Sequence, residues 1–139
     1  MTVLRPLSAI HYTDRFTVRT DARRPPEEWA RSIFGDVPDP GEFFIWRIVL
    51  GLRLSSGRSP ETIAGWRIAG RGDEAIRMEA ASPAMTANLV VRAADGEVSL
   101  STYIRYDRPS ARLLWTPLSA VHRRLAPRAL RNGVARLSR

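Results

Sequence analysis

Residues 85–104 read Met85-Thr86-Ala87-Asn88-Leu89-Val90-Val91-Arg92-Ala93-Ala94-Asp95-Gly96-Glu97-Val98-Ser99-Leu100-Ser101-Thr102-Tyr103-Ile104. Before the Asp95-Gly96 pair, Met85, Ala87, Leu89 and Val91 alternate with Thr86, Asn88 and Arg92. After it, Val98, Leu100, Thr102 and Ile104 alternate with Ser99, Ser101 and Tyr103. A period of two puts the apolar set on one face of a strand and the polar set on the other. Asp-Gly between two such runs predicts a tight hairpin, because its central residues need positive φ.

The pattern extends in both directions. Upstream, Ile76, Met78 and Ala80 alternate with Arg77 and Glu79, and Ser82-Pro83 separates that strand from the next. Trp66 to Gly70 is a shorter run, closed by a turn at Arg71-Gly72-Asp73. Gly65, Gly70 and Gly72 read as turn or bulge positions. Phe16 and Val18 alternate with Thr17 and Arg19 in an N-terminal strand that ends before Pro25-Pro26. A helix follows at about 26–34: Pro26 fits a first turn, Glu27 and Glu28 suit the positive end of the helix dipole, and Gly35 stops it. Phe43 to Leu54 is about a dozen apolar-rich residues that fit a buried helix or a strand, and its length favours a second short helix.

Residues 110–137 read as a long C-terminal helix with an apolar stripe of Leu114, Leu118, Val121 and Leu125 and, after Pro127, a second stripe of Leu130, Val134 and Leu137. Pro127 is expected to kink or restart it. The expected fold is α+β: an antiparallel curved sheet wrapped on this helix, in one domain spanning 1–139. The stripe is expected to cover the apolar sheet face. Arg77, Glu79, Thr86, Asn88, Ser101 and Tyr103 are expected on a solvated face, although a concave face would make them a polar cavity.

Composition sets limits. The 139 residues carry 22 basic and 14 acidic side chains, net +8, and every basic one is Arg. Residues 1–104 hold 13 Arg and 13 acids; residues 105–139 hold nine Arg and Asp107 alone. The excess charge is therefore a property of one terminal segment, and the missing Lys reflects codon usage. With no Cys there is no disulfide, thiolate metal site or Cys nucleophile. Two His lack HxxxH or HxH spacing, so no metal or cofactor is expected. No phosphate-binding glycine loop and no GxSxG elbow occur. The N-terminus shows no signal peptide, and no run reaches the roughly 20 apolar residues of a span, so a cytoplasmic protein is expected.

His11-Tyr12-Thr13-Asp14-Arg15-Phe16, Trp29 to Gly35, Trp66-Arg67-Ile68, Arg105 to Pro109 and Val121 to Pro127 resemble segments of uncharacterised bacterial domains. Those domains are similar to the START/SRPBCC, polyketide-cyclase-like helix-grip superfamily. The resemblance covers nearly the whole chain and implies a cavity between sheet and C-terminal helix for a hydrophobic or amphipathic small molecule. The chain is shorter than full-length members, which leaves little volume for one.

Trp66, Met78, Met85, Leu89, Leu100, Tyr103, Trp115 and His122 are the candidate ligand-binding residues, with core filling as the equal alternative. His122 is also the weak candidate for catalysis, as a general base with Tyr103 or Asp107 in a cyclase or hydrolase; a structural His ranks ahead. His11 reads as structural. Arg123, Arg124, Arg128 and Arg131 are the candidate partner-binding residues, with a solvated helix face or a surface for an acidic protein first, an anionic membrane surface next and nucleic acid last.

Overall fold

The computed structural model describes residues 10–35 and 61–137, which hold six strands and two helices. They run β1 (Tyr12–Arg19), α1 (Pro26–Phe34), β2 (Thr62–Ile63), β3 (Trp66–Arg71), β4 (Ala75–Ala81), β5 (Met85–Ala94), β6 (Glu97–Tyr106) and α2 (Pro109–Leu137). The segment expected as a second short helix, residues 43–54, lies outside the described residues.

All six strands form one antiparallel sheet in the order β1-β6-β5-β4-β3-β2, so β1 closes on the last strand. The β5–β6 hairpin turns at Asp95 (φ 56°) and Gly96 (φ 76°), as an Asp-Gly turn requires. Ala64 (φ 50°) and Gly65 (φ 86°) turn β2 into β3 in the same manner. A register shift between Ile68 and Gly70 supplies the bulge expected near Gly70.

Both helices cover the same sheet face. Ile76, Met78, Leu89, Val91, Val98 and Leu100 are buried there with Trp29, Ile33, Trp115 and Leu130. In α1, Glu27 and Glu28 occupy the first turn, and the Gly35 amide closes the last turn on the Arg31 carbonyl at 2.7 Å. α1 and α2 cross where Gly133 meets Ile33: a Cβ built on Gly133 would lie 2.7 Å from the Ile33 Cα. The Ser32 hydroxyl donates to the Gly133 carbonyl at 2.7 Å and fixes that crossing.

Three expectations are corrected. First, α2 continues through Pro117 and Pro127 as one helix, without the restart expected at Pro127. Second, the buried row is Ala111, Trp115, Ser119 and Ala126 before Pro127, with Leu114 and Leu118 only partly buried and Val121 and Leu125 exposed, whereas Leu130 and Val134 of the second expected stripe are buried together with Gly133. At about 100° per residue, Leu114, Leu118, Val121 and Leu125 cluster roughly 110° round the helix from that row. Gly133 lets the helix axis approach α1 closely, where a Cβ would meet Ile33. Third, the helix-free sheet face is not simply solvated: Thr86, Asn88, Ser99 and Ser101 are buried. Asn88 bridges the Arg77 guanidinium (2.7 Å) and the Glu79 carboxylate (3.1 Å), so its amide is satisfied on both sides.

Candidate functional site

β1 and β6 pair with Asp14 opposite Thr102 and Tyr12 opposite Ile104. Period two carries the inward direction of Phe16 and Val18 back to Asp14 and Tyr12, so a carboxylate and a phenol point at α2. His122 comes down from α2 onto them. Its Nε2 lies 2.9 Å from Asp14 Oδ2 and 3.1 Å from the Thr102 hydroxyl. The Tyr12 hydroxyl donates to the same Asp14 oxygen at 2.6 Å. The Trp115 ring stands edge-on to Tyr12 (5.2 Å between centroids) and tilted against His122 (5.3 Å).

The bonding fixes the tautomer. An ionised carboxylate only accepts, so the proton of neutral His122 sits on Nε2. The Thr102 hydroxyl therefore cannot donate to that nitrogen. Nδ1 is left as the basic atom of the ring, with no hydrogen bond among the described residues. The side chains of Asp14 and His122 are 11% and 20% exposed.

Burial pushes the Asp14 carboxyl up, but hydrogen bonds from His122, Tyr12 and Thr102, together with the charge of His122 when that ring is protonated, outweigh it and hold it below the usual range. Burial, then the Asp14 hydrogen bond and charge, push the Tyr12 phenol up to about 12 against the opposing influence of Arg123. Two buried polar atoms in this cluster, Asp14 Oδ1 and Trp115 Nε1, lack a hydrogen-bond partner.

The structure thus gives His122 a different partner from those expected. Tyr103 faces the other side of the sheet from Thr102. Asp107 is engaged there by Arg105 Nε (2.7 Å) and Thr86 (2.9 Å). Tyr12 and Asp14 were missed, although extending the Phe16–Val18 alternation by two steps would have found them. His11 is structural as expected: its Nδ1 accepts from the Tyr106 amide at 2.8 Å, and its ring stacks on Tyr106.

Of the residues expected to hold a ligand, Trp66, Met78, Met85, Leu89, Leu100 and Trp115 are buried in the core, and only Trp115 and His122 join the polar cluster. A cleft of about 500 Å³ opens elsewhere on the gripped face, at the far end of β1. Thr20, Asp21, Arg23, Arg24 and the Asp95-Gly96-Glu97 turn line it, and the Thr20 amide donates to the Gly96 carbonyl at 2.9 Å. Ala22, Trp29, Ala93 and Val98 supply apolar surface. On α2, Arg123 reaches back to Ser119 at 3.3 Å, and Arg124, Arg128 and Arg131 are exposed.

No family model matches the chain, and no curated protein matches it. Among solved structures, a hypothetical protein from Helicobacter pylori is similar at 12% identity and TM-score 0.48, with 96% of this chain and 98% of that one covered. A Chromobacterium violaceum protein is similar at 16% identity and TM-score 0.39, covering 91% and 95%. The di-domain ARO/CYC protein BexL of the BE-7585A biosynthetic pathway is similar at 16% identity and TM-score 0.36. That match covers 89% of this chain and 46% of BexL. Among the described residues, no helix is long and apolar enough to cross a membrane.

Proposed function

We propose that this chain is a START/SRPBCC-like helix-grip domain that binds a small amphipathic molecule on the gripped face of its sheet. The observation that carries the reading is the cleft of about 500 Å³ between the β5–β6 turn, the end of β1 and the start of α1. Its volume falls within the range of small-molecule sites, and it combines an apolar surface with a few charged groups. Trp29 and Val98 belong to the same buried cluster as Trp66, Met78, Met85, Leu89, Leu100 and Trp115. An apolar chain entering the cleft meets the core there, while its polar end stays among Asp21, Arg23, Asp95 and Glu97.

Native mass spectrometry of protein from its own host, with a thermal-shift panel of fatty acids, fatty alcohols and aromatic polyketides, tests the proposal. The expected result is a retained or stabilising ligand whose effect disappears in Ala22→Trp and Ala93→Trp, which fill the cleft. A panel without any shift, or a shift unchanged by both substitutions, sinks it.

A second reading, acid–base chemistry, is favoured by His122 with its Nδ1 left basic by the Nε2–Asp14 bond. Hydrolysis of p-nitrophenyl acetate by wild type, His122→Gln and His11→Gln tests it. Equal rates in wild type and His122→Gln remove it.

A further inference from the structure

The charge of α2 and its displaced apolar stripe point to a surface that the cleft does not use. Within Pro109–Leu137 there are six arginines and no Asp or Glu. Elsewhere Arg31, Arg67, Arg71, Arg77, Arg92 and Arg105 each hold a carboxylate within 4 Å. No arginine of α2 does so among the described residues. Six guanidinium groups of the strands and α1 are thus neutralised, whereas those of α2 meet no carboxylate among the described residues.

The apolar residues of α2 that miss the sheet lie beside those arginines. Leu113 is 80% exposed, Val121 44% and Leu125 45%. Helical spacing sets Leu113, Arg124, Arg128 and Arg131 on the side opposite the buried row, with Val121 and Leu125 on the adjoining flank. Aliphatic side chains flanked by guanidinium groups, without an acid among them, match an anionic lipid–water interface. The aliphatic groups enter the acyl boundary while arginine forks bind phosphate. An acidic protein would match the charge but leave the exposed aliphatic flank unexplained.

We infer that the outer face of α2 docks on anionic phospholipid membranes, with Val121 and Leu125 in the interface and Arg124, Arg128 and Arg131 on the headgroups. The inference stands apart from the proposed ligand cleft, which lies against α1 and the β5–β6 turn. Each basic side chain near such a surface contributes about fivefold in partitioning, so the three arginines together contribute about a hundredfold.

Flotation of the full chain with phosphatidylcholine vesicles, with and without phosphatidylserine, provides the test. Binding is expected only with phosphatidylserine and is expected to weaken with salt. Arg124→Glu/Arg128→Glu/Arg131→Glu should lose it by a hundredfold or more at an unchanged melting temperature. Val121→Asp/Leu125→Asp should lose it also, and the fold tolerates both because these positions are exposed. No binding to phosphatidylserine vesicles overturns the inference. So does binding that survives either set of substitutions.

Discussion

Replacing Asp14 tests the polar seam between β1 and α2 directly. Asp14 Oδ2 accepts from Tyr12 at 2.6 Å and from His122 at 2.9 Å, and its side chain is almost out of water. Hydrogen bonds to a charged group contribute about 1.5–3 kcal/mol each. Losing two, less the desolvation relieved by removing a buried carboxylate, leaves a net cost of about 2–4 kcal/mol for Asp14→Ala. In a domain of this size that is a fall in melting temperature of about 8–16 °C. Asp14→Asn keeps one acceptor but turns an amide donor toward a neighbour, so it should fall between wild type and alanine. The pH dependence gives an independent check. Because the folded carboxyl is held below its unfolded value, its contribution is fully present above the unfolded pKa, near 4, and is lost as pH falls through the folded one. The gap between wild type and Asp14→Asn should therefore narrow in acid. Urea melts of the three proteins at neutral and acid pH measure both effects. An alanine cost below about 1 kcal/mol, or a gap that does not change with pH, would refute the assignment of Asp14 as the organising acceptor.

Two further expectations follow from the packing and the electrostatics. Gly133→Ala places a Cβ 2.7 Å from the Ile33 backbone; overpacking of about 1–3 kcal/mol outweighs the gain of about 1 kcal/mol in helix propensity, and a more stable variant in chemical denaturation would contradict the α1–α2 crossing. Ultraviolet titration of the phenols should show one ionising near pH 12, absent from Tyr12→Phe; three phenols titrating together near the ordinary value would contradict the burial of Tyr12 against Asp14.

Much of the sheet was legible because its signals are local. Asp95-Gly96 and the alternation on either side fix a hairpin wherever it sits in space, and Pro26, Glu27, Glu28 and Gly35 mark a helix by its own ends. Spatial relations were not legible. Leu114, Leu118, Val121 and Leu125 form a valid amphipathic stripe, yet Ala111, Trp115, Ser119 and Gly133 are the buried positions, Leu114 and Leu118 are buried only in part, and Val121 and Leu125 are exposed. Periodicity states which residues share a face; it does not weigh the closeness of approach that small residues permit. Asn88 shows the same limit: a polar residue on a polar strand face reads as solvated until Arg77 and Glu79 are found to satisfy it.

The candidate site divides along the same line. His122 could be picked out as one of two histidines beside an apolar stripe, but its partner is 108 positions away at Asp14, brought opposite Thr102 by the closure of β1 on β6. The sequence by itself determined β1, the β3–β6 strands, the hairpin, both described helices and the confinement of the excess charge to the last 35 residues, because each follows from neighbours along the chain, while the two-residue β2 carries no pattern of its own. Only the tertiary structure decided which face of α2 meets the sheet, which carboxylate holds His122 and where a cleft opens. Those are contacts between segments far apart in the chain, and they are set by volume and hydrogen-bond satisfaction rather than by pattern.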